Sequence, residues 1–307
     1  MIATEKMMTP IDFTREDGLS IHPAFLDLLD RNGLASFSRL YDYPGGEQFK
    51  KNRFRSVYRI TLQDRAGKEH ILHVKRHFPP LETRLKSIFT GLAIRDGAKN
   101  EWEKILRLEE LGIHTMTPVA FGSVRKWGLP YREITVTEHL YGAEKLEHFL
   151  PDRFGRPPLS RKVLAYKRRI ISETACWAAR FHRNGFYHQD FYLGHIFIQP
   201  DDDAFTLHLI DLQRVRESRR PRSSRILKDL SQINFSALQL SCLTRTDRMR
   251  FIHAYLGRTR LTELDKDLIR KIESKTLRIA AHTEKMLARR GPAKPIRGAA
   301  ERRKGLV

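Results

Sequence analysis

Two aspartates set in short apolar strands directly after a long amphipathic helix constrain this chain more than any other feature. Residues Arg161 to Asn184 repeat apolar side chains at helical spacing. They are followed by His188, Gln189, Asp190, Phe191, Tyr192, Leu193, Gly194, His195, Ile196 and Phe197, and then by Leu209, Ile210, Asp211, Leu212 and Gln213. Phosphoryl transfer needs a carboxylate beside the attacking hydroxyl and a second one on the metal that bridges the phosphates. Asp190 and Asp211 suit those two positions.

Upstream, the pattern is one of strands. Ser36 to Tyr41, Phe54 to Leu62 and His70 to Arg76 are expected to be strands, with a turn at Asp64 to Gly67, forming an antiparallel meander. Lys75 falls on the third of these, where a lysine reaches nucleotide phosphates. Ala98 to Leu111 is expected to be a helix stopped by Gly112, and it carries Glu101, which can hold that lysine. Two further strands are expected near Val119 to Val124 and Tyr131 to Glu138. Taken singly, each charge could be a turn, a cap or a solvated surface residue. Taken in this order, Lys75, Glu101, Asp190 and Asp211 make a constellation.

Strands with one helix, then mostly helices to about Arg290, describe an α+β, two-lobed architecture. A small antiparallel sheet lobe (35–138) joins a larger, mainly helical lobe (139–288) near residue 139, and the cleft between them is the default ligand site. Residues 1–34 are expected to form a leader packed on the body, and 289–307 a basic mobile tail. His73 and His77 have a metal-friendly spacing only on a helix; on a strand they stand about 13 Å apart.

The 307 residues include 57 Lys and Arg against 36 Asp and Glu, a net charge of +21. That excess suits nucleic acid, an anionic membrane surface or a phosphorylated acceptor. With no recognisable nucleic-acid motif and no interleaving of aromatic and basic residues, nucleic acid is the least expected of the three. Cys176 and Cys242 are expected to be buried and reduced, which suits the cytoplasm. No apolar run is long enough for a signal peptide or a membrane span, so any membrane contact is expected to be peripheral.

The loop carrying His188, Asp190, Tyr192 and His195 resembles that of the lipopolysaccharide kinases, which phosphorylate heptose or Kdo sugars and have a protein-kinase-like bilobal fold. The resemblance runs from about Phe54 to Ser236. It includes Asn100, Glu101 and Trp102, the stretch Leu111 to Gly122, the triplet Asp211, Leu212, Gln213 with Arg214 after it, and Asp229 in a structural place. It implies ATP and Mg2+ as cofactors, with Asp190, Lys75 and Glu101 catalytic and Lys75, Glu138 and Leu140 binding nucleotide. Asp211 and His195 would be the metal residues. His195 stands where protein kinases place the asparagine ligand of the second magnesium; it either ligates metal or only hydrogen-bonds Asp190 or a phosphate.

Three departures from protein kinases stand out. Pro44, Gly45, Gly46 and Lys50 to Arg55 replace the spaced glycines over the phosphates. Gln189 replaces an arginine that pairs with a phosphorylated segment, and Leu212 and Gln213 replace Phe and Gly. A site assembled without phosphorylation is expected. The segment after Asp211 is rich in arginine, and Arg214, Arg216, Arg219 and Arg220 are expected to bind an acidic glycolipid or sugar acceptor through guanidinium forks. The expected place of action is the cytoplasmic face of the inner membrane. A protein or small-molecule kinase would use the same residues, and a catalytically silent adaptor would have no need of them together.

Overall fold

The computed structural model describes residues 14–16, 18–52, 55–78, 97–126, 129–202, 204–219 and 222–290. Its smaller lobe is built on strands β1 (Thr14–Glu16), β2 (Leu19–Ile21), β3 (Glu47–Asn52), β4 (Arg55–Gln63), β5 (Glu69–His77), β6 (Pro118–Lys126) and β7 (Leu129–Glu138). They form one seven-stranded antiparallel sheet in the order β1-β2-β6-β7-β5-β4-β3. The β4–β5 turn closes through the Gly67 N–H on the Asp64 carbonyl, with Gly67 at φ +76°.

Alternation along β5 sorts its side chains. Leu72 and Val74 point into an apolar layer with Ile60, Val119, Ile134 and Val136, under helices α1 (Pro23–Arg31) and α2 (Phe37–Tyr41). Lys75 therefore points the other way, toward the cleft.

One expectation is corrected here. Ser36 to Tyr41 is not a strand. Ser36 caps α2 by accepting the Arg39 N–H, and Phe37, Leu40 and Tyr41, spaced three and four apart, bury one helical face. Residues 18–34 pack on the body as expected, and they do so as part of the sheet lobe. β2 pairs with β6, and Leu19, Ile21, Phe25, Leu28 and Leu29 share its core. Gly122 permits this approach, since a Cβ there would lie 2.6 Å from the Phe37 ring.

Helix α3 (Ala98–Glu110) crosses the other face and links the lobes. Its Ile105 and Leu108 join the large core of the second lobe, while Trp102 stacks on Phe121 of β6. That lobe holds β8 (Glu144–Lys145), α4 (Leu146–Phe154), α5 (Arg161–Arg183), β9 (Phe186–Tyr187), β10 (Ile196–Asp201), β11 (Ala204–Leu209) and β12 (Arg216–Glu217). It is completed by α6 (Ser223–Leu238), α7 (Arg245–Leu256) and α8 (Glu263–Arg290). Stacked rings of Trp177, Phe181 and Phe191 fasten α5 beneath the segment that bears Asp190. Lys167, buried in α5, bonds Asp247 at 2.6 Å and the Cys242 carbonyl at 2.5 Å, while Asp247 also closes a capping box with Thr244 on α7.

Both cysteines are free. Cys242 is buried, but Cys176 is exposed on α5, contrary to expectation, because its position lies off that helix's apolar stripe. Among the described residues no helix is long and apolar enough to cross a membrane. Arg289 and Arg290, expected in the tail, belong to α8; residues 291–307 lie outside the described residues.

Candidate active site

Lys75 on β5 donates to Glu101 Oε1 in the first turn of α3, and Glu101 is fully buried. The second carboxylate oxygen of Glu101 accepts from Gln213 Nε2 at 3.2 Å, and Gln213 Oε1 in turn accepts from Arg55 on β4. A buried carboxylate is tolerated only when its lone pairs are used, and here both oxygens are bonded. The run Arg55, Gln213, Glu101, Lys75 ties β4, β5 and α3 to the turn after Asp211. Arg55 and the linking role of Gln213 escaped the sequence reading. Only the proximity of Gln213 to Asp211 could have flagged it.

Asp211 sits at φ +56° and ψ +50°, a left-handed backbone that aspartate tolerates better than most residues. The fully buried Leu212 behind it anchors the turn in the core. Burial by itself would raise the Asp211 pKa, but the charges of Lys75, His195 and Arg55 outweigh it and hold the carboxyl below the ordinary aspartate value. It is an anion in a basic surround, ready for a cation.

The loop from His188 to Leu193 is held by its main chain. Asp229 of α6 accepts the N–H of His188 at 2.6 Å and of Gln189 at 3.1 Å. The Gln189 carbonyl receives Lys228 Nζ at 2.6 Å and Gln232 Nε2 at 2.8 Å. Gln232 Oε1 takes the Phe191 N–H, and Ser236 Oγ takes that of Leu193. Lys228, Gln232 and Ser236 recur every four residues on one face of α6, a polar period that the sequence displayed without revealing its purpose. Gln189 adopts φ +68°, a strained conformation that these bonds hold in place.

Histidines wire the two aspartate segments together. His188 Nδ1 accepts the Asp190 N–H at 3.3 Å and its Nε2 donates to the Ile210 carbonyl at 3.1 Å. Burial lowers its pKa and keeps it neutral. His195 Nδ1 lies 2.7 Å from the Asp190 carbonyl oxygen. A carbonyl only accepts, so Nδ1 carries the proton, and in the neutral ring Nε2 keeps its lone pair.

The Asp211 carboxylate is the oxygen donor that magnesium prefers, and His195 Nε2 offers a nitrogen lone pair besides. Metal-ligating histidines characteristically donate their other ring N–H to a carbonyl or carboxylate, as His195 does. Among the described residues no three His, Cys, Asp or Glu side chains form a metal cluster, and magnesium typically takes one or two protein ligands with phosphates and water completing its shell.

The connector between the lobes is pinned on both sides. The Glu138 carboxylate is drawn to His70 at 3.2 Å, and its N–H donates to the Thr117 carbonyl at 3.0 Å. The Ile71 N–H donates to the Tyr141 hydroxyl, and Gln199 donates to the Tyr141 carbonyl. The Leu140 side chain packs on the large core. His73 is 3.1 Å from His139 across this junction; it is not paired with His77.

The arginines expected to face an acceptor divide. Arg214 places Nε 3.4 Å from Asp190 Oδ2 and is more than half exposed, and Arg219 is exposed. Arg216 also braces its own chain, its Nη1 donating to the carbonyls of Gln213 and Val215 at 2.6 and 2.9 Å. Arg220 lies outside the described residues.

Residues 63–255 match the model of the lipopolysaccharide kinase (Kdo/WaaP) family. The chain belongs to that family. The matched span holds Lys75, Glu101, Asp190, His195, Asp211 and Asp229, and it stops before α8. Among curated relatives, the lipopolysaccharide core heptose(I) kinase WaaP of Pseudomonas aeruginosa is 36% identical over 186 residues, 59% of this chain and 67% of that one. Its counterpart in Escherichia coli K12 is 29% identical over 251 residues, 78% of this chain and 89% of that one. A solved structure of WaaP in complex with acyl carrier protein superposes with a TM-score of 0.65 at 28% identity, covering 85% of this chain and 98% of its own. This lipopolysaccharide kinase family member thus has the bilobal arrangement expected from its sequence.

Proposed function

We propose that this chain is an ATP-dependent kinase that phosphorylates a heptose hydroxyl of the lipopolysaccharide inner core. The reading is carried by the convergence of Lys75 and Glu101, Asp190, and Asp211 at one cleft in a member of this family. The names of its relatives favour heptose over Kdo.

Glu101 fixes the Lys75 ammonium where it holds nucleotide phosphates, and the main chain of Glu138 and Leu140 faces the adenine. Asp211 and His195 would hold Mg2+, which when bound neutralises phosphate charge. Asp190 orients the attacking hydroxyl and takes its proton. As the sugar oxygen bonds to the γ-phosphorus, the bond from that phosphorus to the β,γ-bridging oxygen breaks and ADP departs. Arg214 and Arg219 receive acidic groups of the acceptor. No phosphorylated arginine partner is required, because the loop is already fastened by α6. A protein or small-molecule acceptor would leave the arginine-rich side without its counter-charge.

We place the protein at the cytoplasmic face of the inner membrane, where a lipid-linked acceptor is presented. An acyl carrier protein, the partner in the solved WaaP structure, is a proposed partner as well. Supporting it is an apolar cavity of about 360 Å³ between α5, α6, α7 and α8, lined by Ile170, Leu193, Ile233, Phe251 and Ile272.

The deciding experiment follows labelled phosphate from ATP into dephosphorylated core lipopolysaccharide, with magnesium, for the native protein and Asp190→Ala. Incorporation lost in the variant supports the reading. Nucleotide binding without transfer to core sugar would redirect it to another acceptor, and absence of nucleotide binding would end it.

A further inference from the structure

Helix α8 outlasts the body it packs on. The Thr276 hydroxyl lies 3.0 Å from Asn234 Nδ2 and 3.2 Å from the Ser231 carbonyl oxygen, which places this point of α8 beside the middle of α6. Earlier residues of α8, Lys266 and Ile269, share a cavity with Ala237 and Leu243 beyond the other half of α6, so the two helices run antiparallel. At 1.5 Å per residue, α6 has about 14 Å left from there back to Ser223, while α8 has about 21 Å left to Arg290. The last turns of α8 therefore pass the start of α6, on the side where Arg214 to Arg219 lie. Exposure agrees, since every residue from Glu284 to Arg289 is exposed.

The C-terminal half of α8 is patterned. Lys275, Arg278, His282, Lys285 and Arg289 recur at alternating intervals of three and four, which at 3.6 residues per turn confines them to a sector of roughly 80°. Met286, 36% exposed, borders the stripe, and Leu287, 62% exposed, lies about 100° further round the helix. Glu284 falls on the opposite face. A basic stripe flanked by exposed apolar side chains, on a helix not apolar enough to span a bilayer, is the pattern of a helix lying in a membrane interface.

We propose that the C-terminal turns of α8, Lys275 to Arg289, are the surface by which this chain rests on an anionic phospholipid bilayer. The stripe supplies the charge that phosphatidylglycerol-type headgroups complement, and Met286 and Leu287 enter the boundary between headgroups and acyl chains. Because α8 ends on the arginine-rich side, docking there turns the cleft toward the lipid. That orientation rests on the kinase reading; the lipid binding does not.

The test is co-sedimentation of the full chain with vesicles of phosphatidylcholine alone or mixed with phosphatidylglycerol. Binding is expected only to the mixed vesicles and to weaken with salt. Each near-surface charge contributes about 5-fold, so K275Q/K285Q/R289Q should lower binding about 100-fold. M286Q/L287Q should lower it at any salt concentration. Lys285, Met286, Leu287 and Arg289 are exposed and Lys275 is half-buried, so the fold is expected to tolerate the changes; circular dichroism checks this. Transfer to a soluble core oligosaccharide should be unchanged in these variants while transfer to vesicle-borne acceptor falls, so a failure of the kinase reading leaves the vesicle result intact. Equal binding to both vesicle types, unaltered binding by the variants, or binding abolished only by removing residues 291–307 would overturn the assignment, as would retention by an acidic protein but not by vesicles.

Discussion

Arg214 rests its guanidinium Nε 3.4 Å from the Oδ2 of Asp190, the carboxylate proposed to meet the acceptor hydroxyl. The contact is exposed on the arginine side, so its contribution to stability is slight. Its value is positional: an acidic group on the sugar competes for the arginine and is drawn to the carboxylate's side. Arg214→Ala is expected to raise the KM for core acceptor about 10-fold or more with a smaller change in kcat, and Arg214→Lys to restore part of it. Asp190→Asn should instead lower kcat by about 100- to 10,000-fold with nucleotide affinity kept. Steady-state kinetics against both substrates separates the two.

Lys75→Met would strand Glu101, fully buried, with only Gln213 as partner. Removing one member of a buried pair costs about 3–5 kcal/mol. The double variant Lys75→Met/Glu101→Gln should recover most of that loss in a denaturant titration while remaining inactive. Recovery of activity with stability would show that Lys75 serves packing alone.

Asp247→Ala removes both the buried partner of Lys167 and the acceptor for the cap of α7. A drop of about 3–5 kcal/mol in unfolding free energy is expected, with KM for ATP unaltered, because the pair lies in the helical lobe away from the cleft. Asp247→Asn retains the cap geometry and should lose less.

Acid stability should follow buried histidines. Burial pushes His77 and His73 down from an ordinary 6.5 to about 4, His73 also repelled by His139 and Lys75. Between pH 4 and 6.5 the unfolded chain holds protons that the folded chain refuses, so stability rises with pH across this window and is fully present above it. A melting temperature that climbs from pH 4 to 6.5 is expected, with a shallower slope in His77→Gln. An equal slope in the variant would remove His77 from the account.

The order of strands, the helix bearing Glu101 and the loop bearing Asp190 were legible because alternation and helical spacing are local signals. The segment at Ser36 was misread since five residues hold too few apolar positions to separate a period of 2 from one of 3.6. The bracing role of Arg216 was missed for another reason. From the sequence it is one arginine of a charged loop, and only coordinates reveal that its Nη1 donates to the carbonyls of Gln213 and Val215. Long-range joins such as Arg55 to Gln213 leave no periodic trace at all.

The clamp of α6 on the catalytic loop grips peptide groups at His188, Gln189, Phe191 and Leu193, and makes no use of the Asp190 side chain. The scaffold and the surface proposed to face an acceptor thus share no side chain. Exchange of Arg214 and Arg219 would therefore alter what meets the proposed acceptor and leave the main chain that carries Asp190 in place.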